Sequence, residues 1–150
     1  MIIDAHQHFW IYNHDEYPWI DRRMEKLKRN FLPSDLIPEM HSMKIDGTIA
    51  VQARQSLDET RWLLRLAAEN EYIKGVVGWV DLCSCNIEDQ LKEFSLHIKF
   101  VGVRHVIHDE PDDHFIARSD FQNGICLLQK YHLTYDLLLF PKHLPLAIEL

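Results

Sequence analysis

Only three cysteines occur in the 150 residues, at positions 83, 85 and 126. An odd number without a secretory leader fits free thiols in a reducing compartment rather than a disulfide framework. Cys83 and Cys85 lack both the two-residue spacer and the second pair of a zinc knuckle, so they read as structural or inert thiols. Positive charge is also scarce: 16 Lys and Arg stand against 23 Asp and Glu, for a net charge of -7. That balance argues against a nucleic-acid partner. The basic stretch at 22–29 is short and interrupted by Glu25, and reads as a solvated face. Long apolar runs are missing too. The run at 137–140 is among the longest, far short of a bilayer span. The N-terminus has no basic region followed by an apolar core, so a cytoplasmic protein with no membrane contact is expected. Glycine is sparse, with five residues. None builds a Gly-rich phosphate loop after the first apolar run, which weakens a nucleotide-binding reading.

What is present is an alternation of short apolar runs with amphipathic stretches. Strands are expected at 2–6, 48–53, 73–80, 100–105 and 133–140. Helices are expected at 33–44, 57–70, 86–94 and 120–131, with a fifth opening at Pro141 and continuing to residue 150. Pro33-Ser34-Asp35 is a helix-start signal. A polar and aromatic loop spans 9–32. The middle strands are almost continuously apolar, as parallel strands covered on both faces must be. Strand and helix alternating at this spacing means βαβ units. The fold class is therefore α/β, read as a partial TIM (β/α)8 barrel holding about the first five βα units. A doubly wound five-strand sheet is the alternative. Residues 1–150 form one domain, expected to be the N-terminal portion of a longer barrel. Unpaired edges on the first and fifth strands then predict self-association.

The ends of these strands are unusually polar. Met1-Ile2-Ile3-Asp4-Ala5-His6-Gln7-His8 is an apolar run closing on two histidines one residue apart. Alternation sets His6 and His8 on one face, where two imidazoles can grip a divalent metal. Asp4 shares that face as a possible orienting carboxylate or a structural acceptor. The second strand ends with Gln52 and Arg54, candidates for substrate binding. The third ends at Trp79 and Asp81. The fourth carries Arg104, with His105 on the opposite face; His108 follows and is read as a non-ligand. Asp136 interrupts the apolar fifth strand. Buried ionisable groups are costly unless paired or functional, so Arg104 and Asp136 are candidate catalytic groups. Arg54 and Arg104 pairing with Asp81 or Asp136 is the structural reading of the same residues. Trp10, Trp19 and Tyr17 in the first loop are core, or a wall on which a sugar ring stacks. Among them Trp10 is the substrate-binding candidate, alongside Trp79.

The segment Asp4-Ala5-His6-Gln7-His8-Phe9-Trp10 resembles the opening of the amidohydrolase superfamily, in its amidohydrolase-2 branch. Val51-Gln52-Ala53, Gly78-Trp79-Val80-Asp81-Leu82, and Gly102-Val103-Arg104-His105-Val106-Ile107 with Asp109-Glu110-Pro111 are similar to the sugar-lactone hydrolases of that branch. Tyr135-Asp136-Leu137-Leu138 and Pro141-Lys142-His143-Leu144 continue the likeness, so it covers essentially the whole chain. The resemblance implies a TIM barrel and a divalent metal, commonly zinc, held in part by His6 and His8. It implies water attack on a sugar-acid lactone, an L-fuconolactone-like small molecule. Arg54 and Arg104 would then hold the oxygen-rich substrate or its developing oxyanion. The family draws a further histidine and an aspartate from later strands, so this chain alone is expected to be incomplete as a catalyst. A non-catalytic remnant or interaction module, working through an exposed barrel edge, is the alternative. Decarboxylation of an unsaturated acid is a third reading that the lactonase-like segments disfavour.

Overall fold

The structure, a computed structural model, describes residues 1–150. In chain order the elements are β1 (Ile3–Gln7), α1 (Pro33–Met43), β2 (Gly47–Val51), α2 (Leu57–Glu69), β3 (Ile73–Gly78), α3 (Ile87–Phe94), β4 (Phe100–Val106), α4 (Ser119–Lys130), β5 (Thr134–Leu138) and α5 (Leu144–Ala147). The strands are all parallel and lie in the order β1-β2-β3-β4-β5. A doubly wound sheet reverses direction partway, which sends helices to both faces. Here every crossover steps the same way, and right-handed crossovers then put all helices on one side. The result is a curled half-barrel, which removes the doubly wound alternative.

Local chemistry sets the element boundaries. In α1, the Asp35 carboxylate accepts from the Leu32 amide at 2.8 Å. In α2, the Ser56 hydroxyl caps the first turn by accepting from Glu59 N at 3.4 Å, a favoured N-cap arrangement. β3 stops at Gly78, two residues short of the expected end. Thr60 Oγ1 takes over the Trp79 backbone, accepting from its N–H at 2.9 Å and donating to its carbonyl at 2.7 Å. The last helix is also shorter than expected. Residues Pro141–His143 form a 3-10 turn, and α5 covers only Leu144–Ala147. Pro145 has no N–H to extend the ladder.

The main core lies between the sheet and its helices, a cluster of 19 buried residues. Leu63, Leu64 and Ala67 of α2, Leu91 and Phe94 of α3, and Phe121 and Leu128 of α4 close over Ala50, Val76 and Val103. Each fully buried side chain of the larger kind contributes roughly 1.5–3 kcal/mol. Helix α4 comes so close that a Cβ on Gly124 would sit 2.2 Å from the Leu82 carbonyl oxygen. A second, small core of Trp10, Tyr17 and Ile20 folds the first loop over the C-terminal end of the sheet. A bridge between Trp10 and Phe31 closes that loop. No helix is long and apolar enough to cross a membrane.

Candidate active site

The C-terminal ends of β1, β4 and β5 open into a cleft of about 440 Å³, lined by His6, His8, Trp19, Met24, Ala53, Arg104, Val106, His108, Asp109 and Leu138. It runs into a second hollow of about 360 Å³ that shares His6, Arg104 and Leu138 and adds Tyr135, Asp136 and Leu137. Active sites of (β/α)8 barrels occupy this end of the strands.

His6 and His8 face each other as alternation requires. Their Nε2 atoms are 3.2 Å apart and their ring planes nearly perpendicular, at 83°. His8 Nδ1 lies 2.8 Å from the Val51 carbonyl oxygen. A carbonyl only accepts, so Nδ1 carries the hydrogen and Nε2 keeps its lone pair. Burial lowers the His8 pKa to about 4, against the pull of that hydrogen bond. Burial, then the Arg104 charge, also lowers His6. Both rings are thus neutral at pH 7, the form a metal requires. Two nitrogens on one tetrahedral zinc would stand about 3.3 Å apart, so this pair fits two corners of such a site. No group of three or more His, Cys, Asp and Glu side chains converges in the chain. Two imidazoles alone supply too few ligands for a complete metal site. Asp4 accepts from the His6 backbone N–H at 3.1 Å, the structural-acceptor option for that residue.

Arg104 is 5% exposed. Its Nη1 lies 3.1 Å from His6 Nε2, and its Nη2 donates to the Gln52 carbonyl oxygen. Gln52, fully buried, returns its side-chain N–H to the Arg104 carbonyl at 3.3 Å. That exchange ties the end of β2 to β4 across β3. Arg104 Nε and Gln52 Oε1 are left buried without a partner. Both atoms are shielded from solvent; Arg104 lines both hollows and Gln52 lines neither. Burial draws the Arg104 pKa down, partly offset by Asp136 and Glu59. Asp136 is the register partner of Arg104 and lines the second hollow with it. The two side chains form no ion pair, so neither exists only to neutralise the other. Tyr135, beside them, has a buried unpartnered hydroxyl, and burial raises its pKa.

Three sequence candidates lie elsewhere. Arg54 was expected at the end of the second strand with Gln52, but β2 has ended at Val51 and strand alternation no longer applies. Its guanidinium pairs with Glu16 at 2.7 Å and lies 5.6 Å over the Tyr17 ring. The structural ion pair exists, with Glu16 in place of Asp81 or Asp136. Trp79 turns toward the helices and donates from Nε1 to His105 Nδ1 at 3.2 Å. His105 in turn meets Glu110 at 2.7 Å through Nε2 and stacks on Phe115. Trp10 is 6% exposed, and its indole N–H is spent on the Leu27 and Arg29 carbonyls. Trp19 lines the cleft where Trp10 was the candidate. Asp81 binds the Cys83 amide at 3.1 Å and serves the turn after β3. Met24 carries no sequence signal, and Val106, Asp109 and Leu138 lie in the family-like segments without having been singled out; Val106 and Leu138 reach the cleft as the last residues of β4 and β5, Met24 and Asp109 from loops.

A parallel sheet in this order, with two histidines and an arginine at its C-terminal mouth, is the architecture of part of a (β/α)8 barrel. Comparison with known proteins makes the class particular. The chain is 42% identical over 144 residues to the L-fucono-1,5-lactonase of Burkholderia multivorans, covering 95% of this chain and 48% of that protein. It is 34% identical over 144 residues to the L-fucono-1,5-lactonase of Burkholderia ambifaria, covering 95% of this chain and 49% of that protein. A crystal structure of an amidohydrolase from Burkholderia multivorans with bound zinc superposes with a TM-score of 0.92 at 42% identity, over 97% of this chain and 51% of the other. No protein-family model matches. By sequence and fold the chain is a curled parallel half-barrel similar to the N-terminal part of L-fucono-1,5-lactonases and to an amidohydrolase structure. It spans about half the length of the curated relatives it matches.

Proposed function

We propose that this chain carries part of the active site of a metal-assisted lactonase acting on a sugar-acid lactone of the L-fuconolactone kind. The observation that carries this reading is the pair of neutral imidazoles with Nε2 atoms 3.2 Å apart at the mouth of the half-barrel. Likeness to the Burkholderia lactonases supplies the substrate class, and the zinc in an amidohydrolase relative supports zinc as the metal. His6 and His8 would hold the ion through Nε2. When bound, it would supply Lewis acidity at the lactone carbonyl and an activated water. Arg104, which lines the cleft beside His6, would steady negative charge developing on the carbonyl oxygen. Asp136 is the carboxylate available to take a proton from the attacking water. Gln52 holds the Arg104 backbone and so sets where its donors point. The ring-opened product is a hydroxy acid, which suits a cytoplasmic role in carbohydrate metabolism.

The test is base consumption on L-fucono-1,5-lactone with zinc added, for the wild type, His6→Ala and Arg104→Ala. Turnover lost with either substitution supports the assignment, and turnover indifferent to His6→Ala overturns it. The convergence of only two metal-binding side chains favours a second reading for the chain by itself. On that reading it is a non-catalytic module that binds zinc weakly and associates through β1 and β5, the edge strands. Size-exclusion chromatography with a single monomer peak at micromolar concentration counts against the association.

A further inference from the structure

One side of the cleft comes from the first loop, which is fastened to a turn held by a carboxylate outside the cleft. Glu59, on the first turn of α2, is 1% exposed. Its Oε2 accepts from the backbone N–H groups of Ala53 at 3.0 Å and Arg54 at 2.9 Å. Its Oε1 accepts from the Tyr17 hydroxyl at 3.3 Å. A carboxylate binding two backbone amides costs more to bury than a neutral side chain, and helix packing alone gives no reason for one here. The same loop returns to the same turn twice more. Arg54 pairs with Glu16, and Trp19 Nε1 donates to the Ala53 carbonyl at 3.1 Å. Glu16, Tyr17 and Trp19 are thus all fastened to a turn that Glu59 holds. Trp19 is 39% exposed and lines the cleft with His6 and His8, while Trp10 supports it edge-on at 6.0 Å.

We propose that Trp19 is the aromatic wall against which the substrate ring rests, and that Glu59 is the positioning residue that sets this wall without touching substrate. The proposal rests on the sugar-lactone reading above for the identity of the ring. An indole face suits the C–H face of a sugar, while His6, His8 and Arg104 take its oxygens. Trp19 is anchored through its N–H, so its ring plane is fixed before any ligand arrives and less ordering is needed on binding.

The experiment is NMR on the chain as it stands, with the Trp19 indole N–H identified by its loss in Trp19→Phe. In Glu59→Gln, hydrogen exchange at the Trp19 indole and the Ala53 amide is expected to rise about tenfold, the cost of one lost hydrogen bond. The Leu128 amide in the main core should keep its rate. Unchanged exchange at Trp19 overturns the positioning role. Equal acceleration at Leu128 also overturns it, because Glu59 would then serve stability in general. If Glu59→Gln does not fold, Tyr17→Phe, which removes one contact, decides in the same way. L-Fuconate is then titrated into the wild type. Shifts at Trp19, His6 and His8 together are expected. Shifts at the histidines without Trp19 overturn the wall and leave the sugar-lactone reading standing. Shifts at none of the three overturn that reading and the wall with it, while the exchange rates still judge Glu59.

Discussion

On β4, two consecutive ionisable side chains meet opposite surroundings. His105 points to the helices, where Trp79 donates to one ring nitrogen, Glu110 accepts from the other, and Phe115 and Phe121 cover the ring. Trp79 can only donate, so the His105 tautomer is set and the ring is fully used. Arg104 points to the open side, with one donor on His6, one on Gln52 and its Nε unpartnered. The helix side is mostly apolar, and around His105 its polar groups are closed on themselves. The mouth is polar and left unfinished. Closed networks hold a fold together, while unfinished ones are available to a ligand.

The contrast is broken most severely from the helix side. Phe121→Ala opens a hole in the main core and should cost about 3–5 kcal/mol. Urea unfolding measures this, and zinc affinity at His6 and His8 should not change in molecules that stay folded. Next comes Glu59, at the border between the two regions. Burial raises its carboxyl from 4.5 to about 7 despite the two backbone amides it accepts from. Between those values the folded chain keeps a proton that the unfolded chain has released. Its contribution to stability therefore falls as pH rises from about 4.5 to about 7, by about 3 kcal/mol in total. The difference in unfolding free energy between wild type and Glu59→Gln should follow that slope; a flat difference refutes it.

Gly124→Ala tests how tightly the helix side is closed. Alanine normally favours a helix, but here its Cβ meets a backbone carbonyl, so a loss of about 1–3 kcal/mol is expected in thermal or urea melts. Arg104→Met should be the smallest effect on stability. It removes a buried, partly unsatisfied cation while keeping most of its bulk, and should change unfolding free energy by less than about 1 kcal/mol. In an assay of lactone hydrolysis it should abolish turnover. A large loss of stability with turnover kept would reverse the roles assigned to the two faces.

Much of this was legible in the chain. The period of the apolar runs revealed five βα units, because a parallel strand covered on both faces has to be apolar throughout. His6 and His8 could be paired from spacing alone, since alternation in a strand is a backbone property. The opposite facing of Arg104 and His105 followed from the same rule. Where a strand had already ended, the rule lapsed. Arg54 lies past β2 and turned to Glu16, and Trp79 lies past β3, where Thr60 holds its backbone. Trp10 and Trp19 are nine residues apart in one loop, and nothing local says which is buried. That depended on which indole reached the Leu27 and Arg29 carbonyls and which reached Ala53.

The sequence by itself determined the number and parallel direction of the strands and the two imidazoles at the first strand's end. These follow from alternation and helix spacing, which act over a few residues. Only the tertiary structure decided that the helices share one side and that Arg104 meets His6 and Gln52. It also decided that Trp19 forms the wall of the cleft. Those outcomes depend on contacts between residues tens of positions apart, such as His6 with Arg104, separated by 98 residues. They become defined only when the sheet curls and brings the strand ends together.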